Sequence, residues 1–225
     1  MKTRVLLASW LVLGALPVAA QVVHFDTGVL AVPDGAGGLV NVQQVAGSFP
    51  PLSRLRVQFD VSGPDGFVGD LFATLQHESG AYAVLLNRPG RDTTTPDGYA
   101  ERGLSITFAA AAPDVHRYRE LSGPPPGGIL AGSWSPDGRI TDPAAVLPTD
   151  LRPAGFGSFS GIDPAGEWIL FLADVNPGGQ VFLNRWALDF TPIPEPTLAA
   201  LAAGGLLLLV AAGRRRLWGQ RKLAQ

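Results

Sequence analysis

The sequence predicts an all-β fold, an antiparallel β-sandwich, preceded by a signal peptide and followed by a single transmembrane helix. Hydrophobic and polar residues alternate with a period of two along the middle of the chain, which is the spacing of strands with one buried face. The 225 residues include 28 glycines and 20 prolines, a composition that favours many turns over long helices. Cysteine is absent, which excludes disulfides, thiol nucleophiles and thiolate metal sites and leaves packing to hold the fold.

Residues 1–20 are typical of a secretory signal peptide. A basic start is followed by an apolar stretch from Val5 to Val18, and small residues end at Ala20, after which cleavage is expected. The alternative is an N-terminal anchor helix. Gly14 and Pro17 disfavour it because they break the segment where a cleavage site needs an extended chain.

The body of the chain, residues 21–191, is predicted to be one domain, because about 170 residues can bury a real core. Six segments alternate and are predicted strands: Leu55–Val61, Leu71–Leu75, Ala81–Leu86, Leu104–Phe108, Trp168–Ala173 and Phe182–Phe190. Ser79 and Gly80 are predicted to form a hairpin turn, and the proline-rich stretch Ser122–Gly128 a surface loop. Trp168 and Trp186 are expected to be buried near each other on the last two strands, in cross-strand aromatic contact.

Residues 192–225 form a tail with three parts in a fixed order. Pro194, Glu195 and Pro196 come first, an apolar run spans residues 198–213, and the cluster Arg214, Arg215 and Arg216 follows. This order resembles the PEP-CTERM sorting signal of exported proteins in Gram-negative bacteria. In that family a membrane protease, exosortase, is thought to cut near the motif and release or transfer the protein to the outside.

The physical properties of the tail agree with this resemblance. The apolar run of about 16 residues would give roughly 24 Å of helix, which is short of a comfortable span. The three arginines are expected to stop transfer and stay on the cytoplasmic side. Prolines 194 and 196 prevent a regular helix, so the motif should stay extended and accessible to a protease. The alternative is a plain C-terminal anchor that is never processed.

The body also carries motifs that resemble the P domain of proprotein convertases. In chain order these are Gly69-Asp70-Leu71, Val84–Gly90, Gly132–Gly138, Phe159-Ser160-Gly161, Gly166–Asp174 and Gly179–Leu188. The resemblance covers residues 32–190, and it implies a β-sandwich of jelly-roll, galactose-binding-like type.

Three features depart from that family. A convertase has a catalytic domain before its P domain, whereas about ten residues separate Gln21 from the first match here, too few for a protease domain. The aromatic residue that usually precedes Gly-Asp-Leu corresponds here only to Phe67, two residues before Gly69. The stretch Thr141–Ala154 is predicted to be an extra loop.

The residues that could support catalysis are few, and the protein is not expected to be an enzyme. His24, His77 and His116 are scattered, without the spacing of a zinc site, and are predicted to be loop or surface residues. No Gly-x-Ser-x-Gly elbow occurs. The net charge is −2, and the body without the tail arginines is more acidic still, which argues against nucleic-acid binding, since that needs a basic face.

Two weaker candidates for ligand binding remain. Asp65, Asp70, Asp97 and Asp174 lie at predicted strand ends, where carboxylates could bind calcium, the one cofactor the sequence suggests. The alternative is that these side chains accept hydrogen bonds from turn amides. Trp134 lies between two serines and could stack on a sugar, the alternative being that it packs internally.

Together these features predict a non-catalytic protein exported through the inner membrane to the cell surface or extracellular matrix. Its expected partners are an exosortase, the inner membrane transiently, and exopolysaccharide. An alternative is a glycan- or protein-binding module, including an accessory domain that acts with a separate protease. That last possibility rests on the P-domain resemblance alone.

Overall fold

Two β-sheets form the framework of the protein. The computed structural model describes residues 20–192, apart from Asp26 and Ala36. The strands of this part are β1 (Gln21–Phe25), β2 (Leu30–Val32), β3 (Leu39–Val45), β4 (Leu52–Ser62), β5 (Leu71–His77), β6 (Tyr82–Asn87), β7 (Gly103–Ala109), β8 (Ile129–Trp134), β9 (Gly166–Asp174) and β10 (Val181–Pro192). Helical structure is limited to α1 (Tyr118–Ser122) and 3-10 turns at Val68–Asp70, Val115–Arg117, Pro126–Gly128 and Phe156–Phe159. No helix among the described residues has the length and apolar character to cross a membrane.

The strands are not in chain order within the sheets. The first sheet has the order β1-β10-β4-β7-β8, with β2 pairing to another part of β10, and the second has the order β3-β9-β5-β6. All pairs are antiparallel except β7 and β8, which are parallel. The predicted wholly antiparallel arrangement is therefore wrong at this edge. The chain returns between these two strands through α1, so β8 starts from the same end as β7.

One hydrophobic core lies between the two sheets. On β4 the alternating residues Leu55, Val57, Phe59 and Val61 are all buried, as the period-two pattern predicts. Alternating residues of β5 and β9 from the other sheet belong to the same buried cluster. The six predicted strands are confirmed, with bounds extended by a few residues in most cases. The Ser79-Gly80 turn is also confirmed, with Gly80 at a φ of 87°.

The two core tryptophans are buried but lie in different sheets. Trp168 on β9 stacks on Phe159, with ring centroids 5.4 Å apart, whereas Trp186 on β10 packs on Phe25 at 4.4 Å. The expected cross-strand contact between them is therefore wrong, although their burial is confirmed. Consecutive strands pair only if the chain turns back within one sheet, and between β9 and β10 it passes to the other sheet.

Residues 135–154, which we call the edge segment, cover the outer edge of β6. Asp137 and Gly138 donate backbone hydrogen bonds to the carbonyls of Leu85 and Val84, and Val84 donates to Ala154. This cover explains why five of the six residues of β6 are buried, on both faces of the strand. The predicted extra loop thus belongs to a segment that closes an exposed strand edge.

Candidate functional site

Three aspartates lie near one another where β5 begins and β9 ends. Leu71 pairs with Asp174 in the antiparallel register, which places Asp70 beside Asp174. Asp34 forms an isolated bridge with Asp174 on the other side of β9. Asp34, Asp70 and Asp174, which we call the acidic cluster, therefore come from three separate parts of the chain.

Asp70 is held in place by two side-chain donors. Its Oδ1 accepts from Asn176 Nδ2 at 2.6 Å and from the Arg88 guanidinium at 3.3 Å. Burial raises the pKa of Asp70, while the bonds from Asn176 and Arg88 act in the opposite direction. Arg88 is the one non-glycine residue with a positive φ, 48°, among those described, and it also donates to the carbonyl of Gly69. A strained backbone at Arg88 therefore supports the position of Asp70.

Asp174 is the least satisfied member of the acidic cluster. Its side chain is 1% exposed, and its Oδ1 has no hydrogen-bond partner among the described residues. Burial, together with the negative charges of Asp70 and Asp34, raises the pKa of Asp174 to about 7. The side chain therefore needs a neutralising partner, which a proton or a cation would supply.

The other two predicted calcium ligands are less well placed. Asp97 is exposed, but it is close enough for its charge to raise the pKa of Asp70. The backbone of Asp97 passes so near Gly69 that a Cβ atom at position 69 would clash with the Asp97 carbonyl oxygen. Asp65 is exposed, and its charge is not among the causes that shift the pKa of Asp70 or Asp174.

Across residues 20–192 as described, no group of three or more acidic or histidine side chains has the arrangement needed to hold a metal ion. The four predicted ligands are thus not gathered into one ligand set, and calcium binding stays a prediction. Sequence reasoning also missed Asp34, Arg88 and Asn176. Arg88 lies within the Val84–Gly90 motif and Asn176 follows the Gly166–Asp174 motif, but neither motif indicated a contact with Asp70.

Trp134 is mostly inside the protein. It ends β8 with 6% of its surface exposed, and its Nε1 donates to the carbonyl of Ala131 at 2.9 Å. Its ring packs against Tyr118, with centroids 6.0 Å apart. The internal-packing alternative therefore describes this residue, since its faces are not free to stack on a sugar.

A second polar cluster lies beneath the edge segment. His116, Asp137, Arg139 and Asp114, which we call the buried charge cluster, link the 3-10 turn at Val115–Arg117 to the edge segment. Asp137 bonds to His116 Nδ1 at 3.0 Å and to Arg139 at 3.1 Å, while Asp114 accepts from Arg139 at 2.8 Å. Burial raises the pKa of Asp114, but the hydrogen bonds from Arg139 and the positive charge of Arg139 outweigh it. The pKa of Asp114 is therefore below its usual range.

The prediction that the histidines are loop or surface residues is wrong for His77, which is buried on β5, whereas His116 lies in a connection between strands but is buried there. His116 is fully buried and His77 is 2% exposed, whereas His24 is exposed. His77 packs against Trp168 and bonds to Ser79 and to the carbonyl of Ala165. Histidines are rarely fully buried without partners, and these partners are distant in the chain, so the local sequence gave no sign of them.

An open cleft of about 400 Å³ lies at the end of β1. His24, Phe25, Thr27, Gly28, Val29, Asn184 and Arg185 line it. Exposed His24 and Arg185 offer hydrogen-bonding groups there, beside the apolar side chain of Val29. A mixed polar and apolar cleft of this kind can bind a small polar ligand.

The predicted sorting residues Pro194, Glu195, Pro196, Arg214, Arg215 and Arg216 lie outside the described residues. The predicted signal peptide, apart from Ala20, and the predicted transmembrane helix lie outside them as well.

Comparison with known proteins gives little further guidance. No family model matches the chain, and no curated protein matches it. Among solved structures, this protein is similar to a chain of the complex between the Aeromonas sobria serine protease and the chaperone ORF2, with 13% identity and a TM-score of 0.40. The serine protease of Aeromonas sobria crystallised alone is also similar, with 12% identity and a TM-score of 0.38. Each match covers 76% of this chain and 26% of the other, so the chain spans about a quarter of their length.

Proposed function

We propose that this protein is a non-catalytic component of the cell surface or extracellular matrix, exported as a folded domain after processing at both ends. The observation that supports this proposal is the position of the fold relative to the two predicted processing points. β1 begins at Gln21, directly after the predicted cleavage at Ala20. β10 ends at Pro192, two residues before the Pro194-Glu195-Pro196 motif.

The strands next to both processing points are held in the first sheet. Gln21 pairs with Phe190, so the first and last strands are neighbours. The carbonyls of Thr191 and Pro192 accept hydrogen bonds from the Ser53 hydroxyl at 2.8 and 3.2 Å. Cleavage after Ala20 and near Pro194 would therefore remove no strand, and the exported product would keep its core.

The polar clusters support a structural role rather than catalysis. The charges of the buried charge cluster are paired with one another or with backbone groups, and Asp70 is fixed by Arg88 and Asn176. A general base or nucleophile has to reach a substrate, whereas His116 and Asp137 are fully enclosed. We further propose that the two sheets form a sandwich of jelly-roll type, as the P-domain resemblance implies.

Exosortase sorting is tested by changing the motif in the native bacterium. Replacing Pro194, Glu195 and Pro196 together by alanine should leave the protein in the inner-membrane fraction, because the protease would lose its recognition sequence. The matched control is Thr197→Ala, next to the motif, which should still be released. Normal release of the triple variant would contradict the proposal.

The cleft at the end of β1 favours a second candidate function, a glycan-binding module. Sugar hydroxyls bind to arginine and histidine side chains such as Arg185 and His24, and exopolysaccharide would be present at the proposed location. Arg185→Ala should abolish binding to exopolysaccharide fragments on an array, while Leu151→Ala, at a residue 86% exposed and outside the cleft, should not change it. Absence of binding by the unchanged protein would remove this candidate.

A further inference from the structure

The ring of His116 is surrounded by groups that can only accept hydrogen bonds. Nδ1 lies 3.1 Å from the backbone carbonyl oxygen of Asn87 and 3.0 Å from Asp137 Oδ2. Nε2 lies 3.1 Å from the backbone carbonyl oxygen of Arg91. A neutral imidazole has one N–H donor and one nitrogen that must accept. In this site the accepting nitrogen would face the lone pairs of an oxygen.

His77 shows the contrasting arrangement in the same protein. Its Nε2 faces the carbonyl oxygen of Ala165 at 3.1 Å, so this nitrogen carries the proton. Its Nδ1 receives the backbone N–H of Ser79 at 3.2 Å, so this nitrogen accepts. A neutral ring with the proton on Nε2 therefore satisfies every contact of His77, whereas no neutral ring satisfies those of His116.

Asp137, Asp114 and Arg139 together carry one net negative charge, which a positive His116 ring would balance. Asp137 and Asp114 supply two negative charges, and Arg139 supplies one positive charge. Arg152 lies 3.5 Å from Asp114 at the exposed side of the cluster, and Asp150 is close enough for the charges of Arg139 and His116 to act on it. The guanidinium of Arg91 points away, donating to the carbonyls of Ala144 and Val146.

A protonated Asp137 beside a neutral ring is the alternative. Asp137 Oδ1 accepts from the backbone N–H and the guanidinium of Arg139, which favours the ionised carboxylate. In that arrangement Nδ1 carries no proton, so its lone pair would be repelled by the Asn87 carbonyl oxygen 3.1 Å away. The ionised pair accounts for both contacts of Nδ1.

The buried charge cluster holds the edge segment on the rest of the domain. Asp137 and Arg139 belong to the edge segment, and Arg139 also donates to the carbonyl of Pro148 at 2.7 Å. Asn87 at the end of β6 donates to the carbonyls of Arg139 and Thr141. Charged links therefore join the edge segment to the 3-10 turn that contains His116 and to its cap Asp114, from Asp137 to His116 and from Arg139 and Arg152 to Asp114. The link to His116 is the one that depends on a histidine proton.

We propose that His116 carries both ring protons in the folded protein and acts as a proton-dependent latch, so that losing one proton releases the edge segment from β6. The proton stabilises the latched state, so raising the pH weakens it. Release would expose the backbone groups of β6, and an uncovered strand edge can pair with another strand. An ordinary exposed histidine would already have lost most of its charge above about pH 6.5.

The protonation state is tested by NMR of the ring nitrogens in the full chain at neutral pH. Both nitrogens of His116 should give the signals of a doubly protonated ring. His77 should give those of a neutral ring with the proton on Nε2, and so serves as the internal control. A neutral His116 ring at neutral pH would overturn the proposal.

The latch is tested by hydrogen exchange as the pH is raised. The amides of Val84, Asp137, Gly138 and Ala154 should lose protection as the pH rises above about 6.5, the ordinary histidine range, by up to about tenfold per pH unit, until the His116 ring of the latched state has itself lost a proton. Amides in the middle of β10 should keep their protection over that range. In His116→Gln this pH dependence should disappear, whereas in His77→Gln it should persist.

Two results would contradict the latch. In one, the four amides stay protected after the ring has lost its proton. In the other, the amides of β10 lose protection together with them, which would mean global unfolding rather than release of the edge segment.

Discussion

At the scale of single residues, the buried tryptophans show how far a local pattern determines a position. Alternation with apolar neighbours correctly predicts that Trp168 and Trp186 are buried. Alternation does not specify which sheet a strand joins, because the strands of both sheets have one face toward the core. The polar end of each indole has its own partner: Trp168 donates to the carbonyl of Pro164 and Trp186 to Asn41 Oδ1. Each tryptophan is therefore fixed independently of the other.

Truncating either tryptophan should destabilise the domain strongly. Trp168→Ala and Trp186→Ala are each expected to lower the free energy of unfolding by about 3–5 kcal/mol, because each leaves a cavity in the core. The two effects should be nearly additive, since the residues lie in different sheets. Urea unfolding followed by circular dichroism measures both, with Leu151→Ala, at a highly exposed residue, as the control. A loss below about 1 kcal/mol at either tryptophan would contradict the core assignment.

Asp174 should make the domain less stable as the pH rises. Its pKa is about 7 in the folded protein, above the ordinary value of 3.8, so the folded state binds this proton more tightly than the unfolded state. The resulting stabilisation is fully present below pH 3.8 and is lost as the pH rises through about 7. Asp114, whose pKa is lowered, acts in the opposite direction at acid pH.

The contribution of Asp174 is isolated by comparison with Asp174→Asn. With chelator present throughout, the unfolding midpoint of the unchanged protein should fall across this pH range relative to that of the variant. Parallel pH profiles for the two proteins would show that Asp174 is not protonated by preference in the folded state.

At the scale of elements, strands with strong alternation were predictable and strands at sheet edges were not. β1, β2, β3 and β8 were missed. They are short or have few buried residues, so their sequences carry little periodic signal. β8 also contains Gly132, which weakens strand propensity. Its parallel pairing with β7 depends on a long connection, which alternation does not encode.

The ends of β5 and β9 are where a calcium ion would act. If calcium neutralises Asp70 and Asp174, it binds the folded state only and stabilises it by mass action, by about 2.7 kcal/mol at a hundredfold excess over Kd. The melting temperature should then rise with calcium and fall with chelator. Asp174→Asn should abolish this response, whereas Asp65→Asn, at an exposed residue, should preserve it.

The competing explanation for the acidic cluster is a proton on Asp174, with Asp70 fixed by Arg88 and Asn176. In that case the melting temperature would not change with chelator. Asp70→Asn would still destabilise the protein, because Arg88 would lose its buried counter-charge.

At the scale of the whole molecule, the sequence predicts the class of fold better than it predicts the polar sites. Asp70 and Asp174 were correctly expected at strand ends, but Asp34 and Asn176 join them only through the registers of β9 and β5. His116 and Asp137 are 21 residues apart in the chain. Their contact depends on the edge segment folding over β6, a non-local event that neither composition nor periodicity reports.

The positions of β1 and β10 join the fold to the proposed export route. Both predicted processing points lie directly outside a strand of the first sheet, and those two strands are neighbours. A domain built in this way can lose both flanking segments without losing core residues. Under the proposed function, these segments would act as delivery signals and the two-sheet domain would be the exported product.

The most direct test of this account is the intact mass of the native protein recovered from outside the producing cells. The account predicts a product that starts at Gln21 and ends near Pro194-Glu195-Pro196, without residues 1–20 and without Arg214, Arg215 and Arg216. Recovery of protein that still carries the arginine cluster on the outer surface would contradict it.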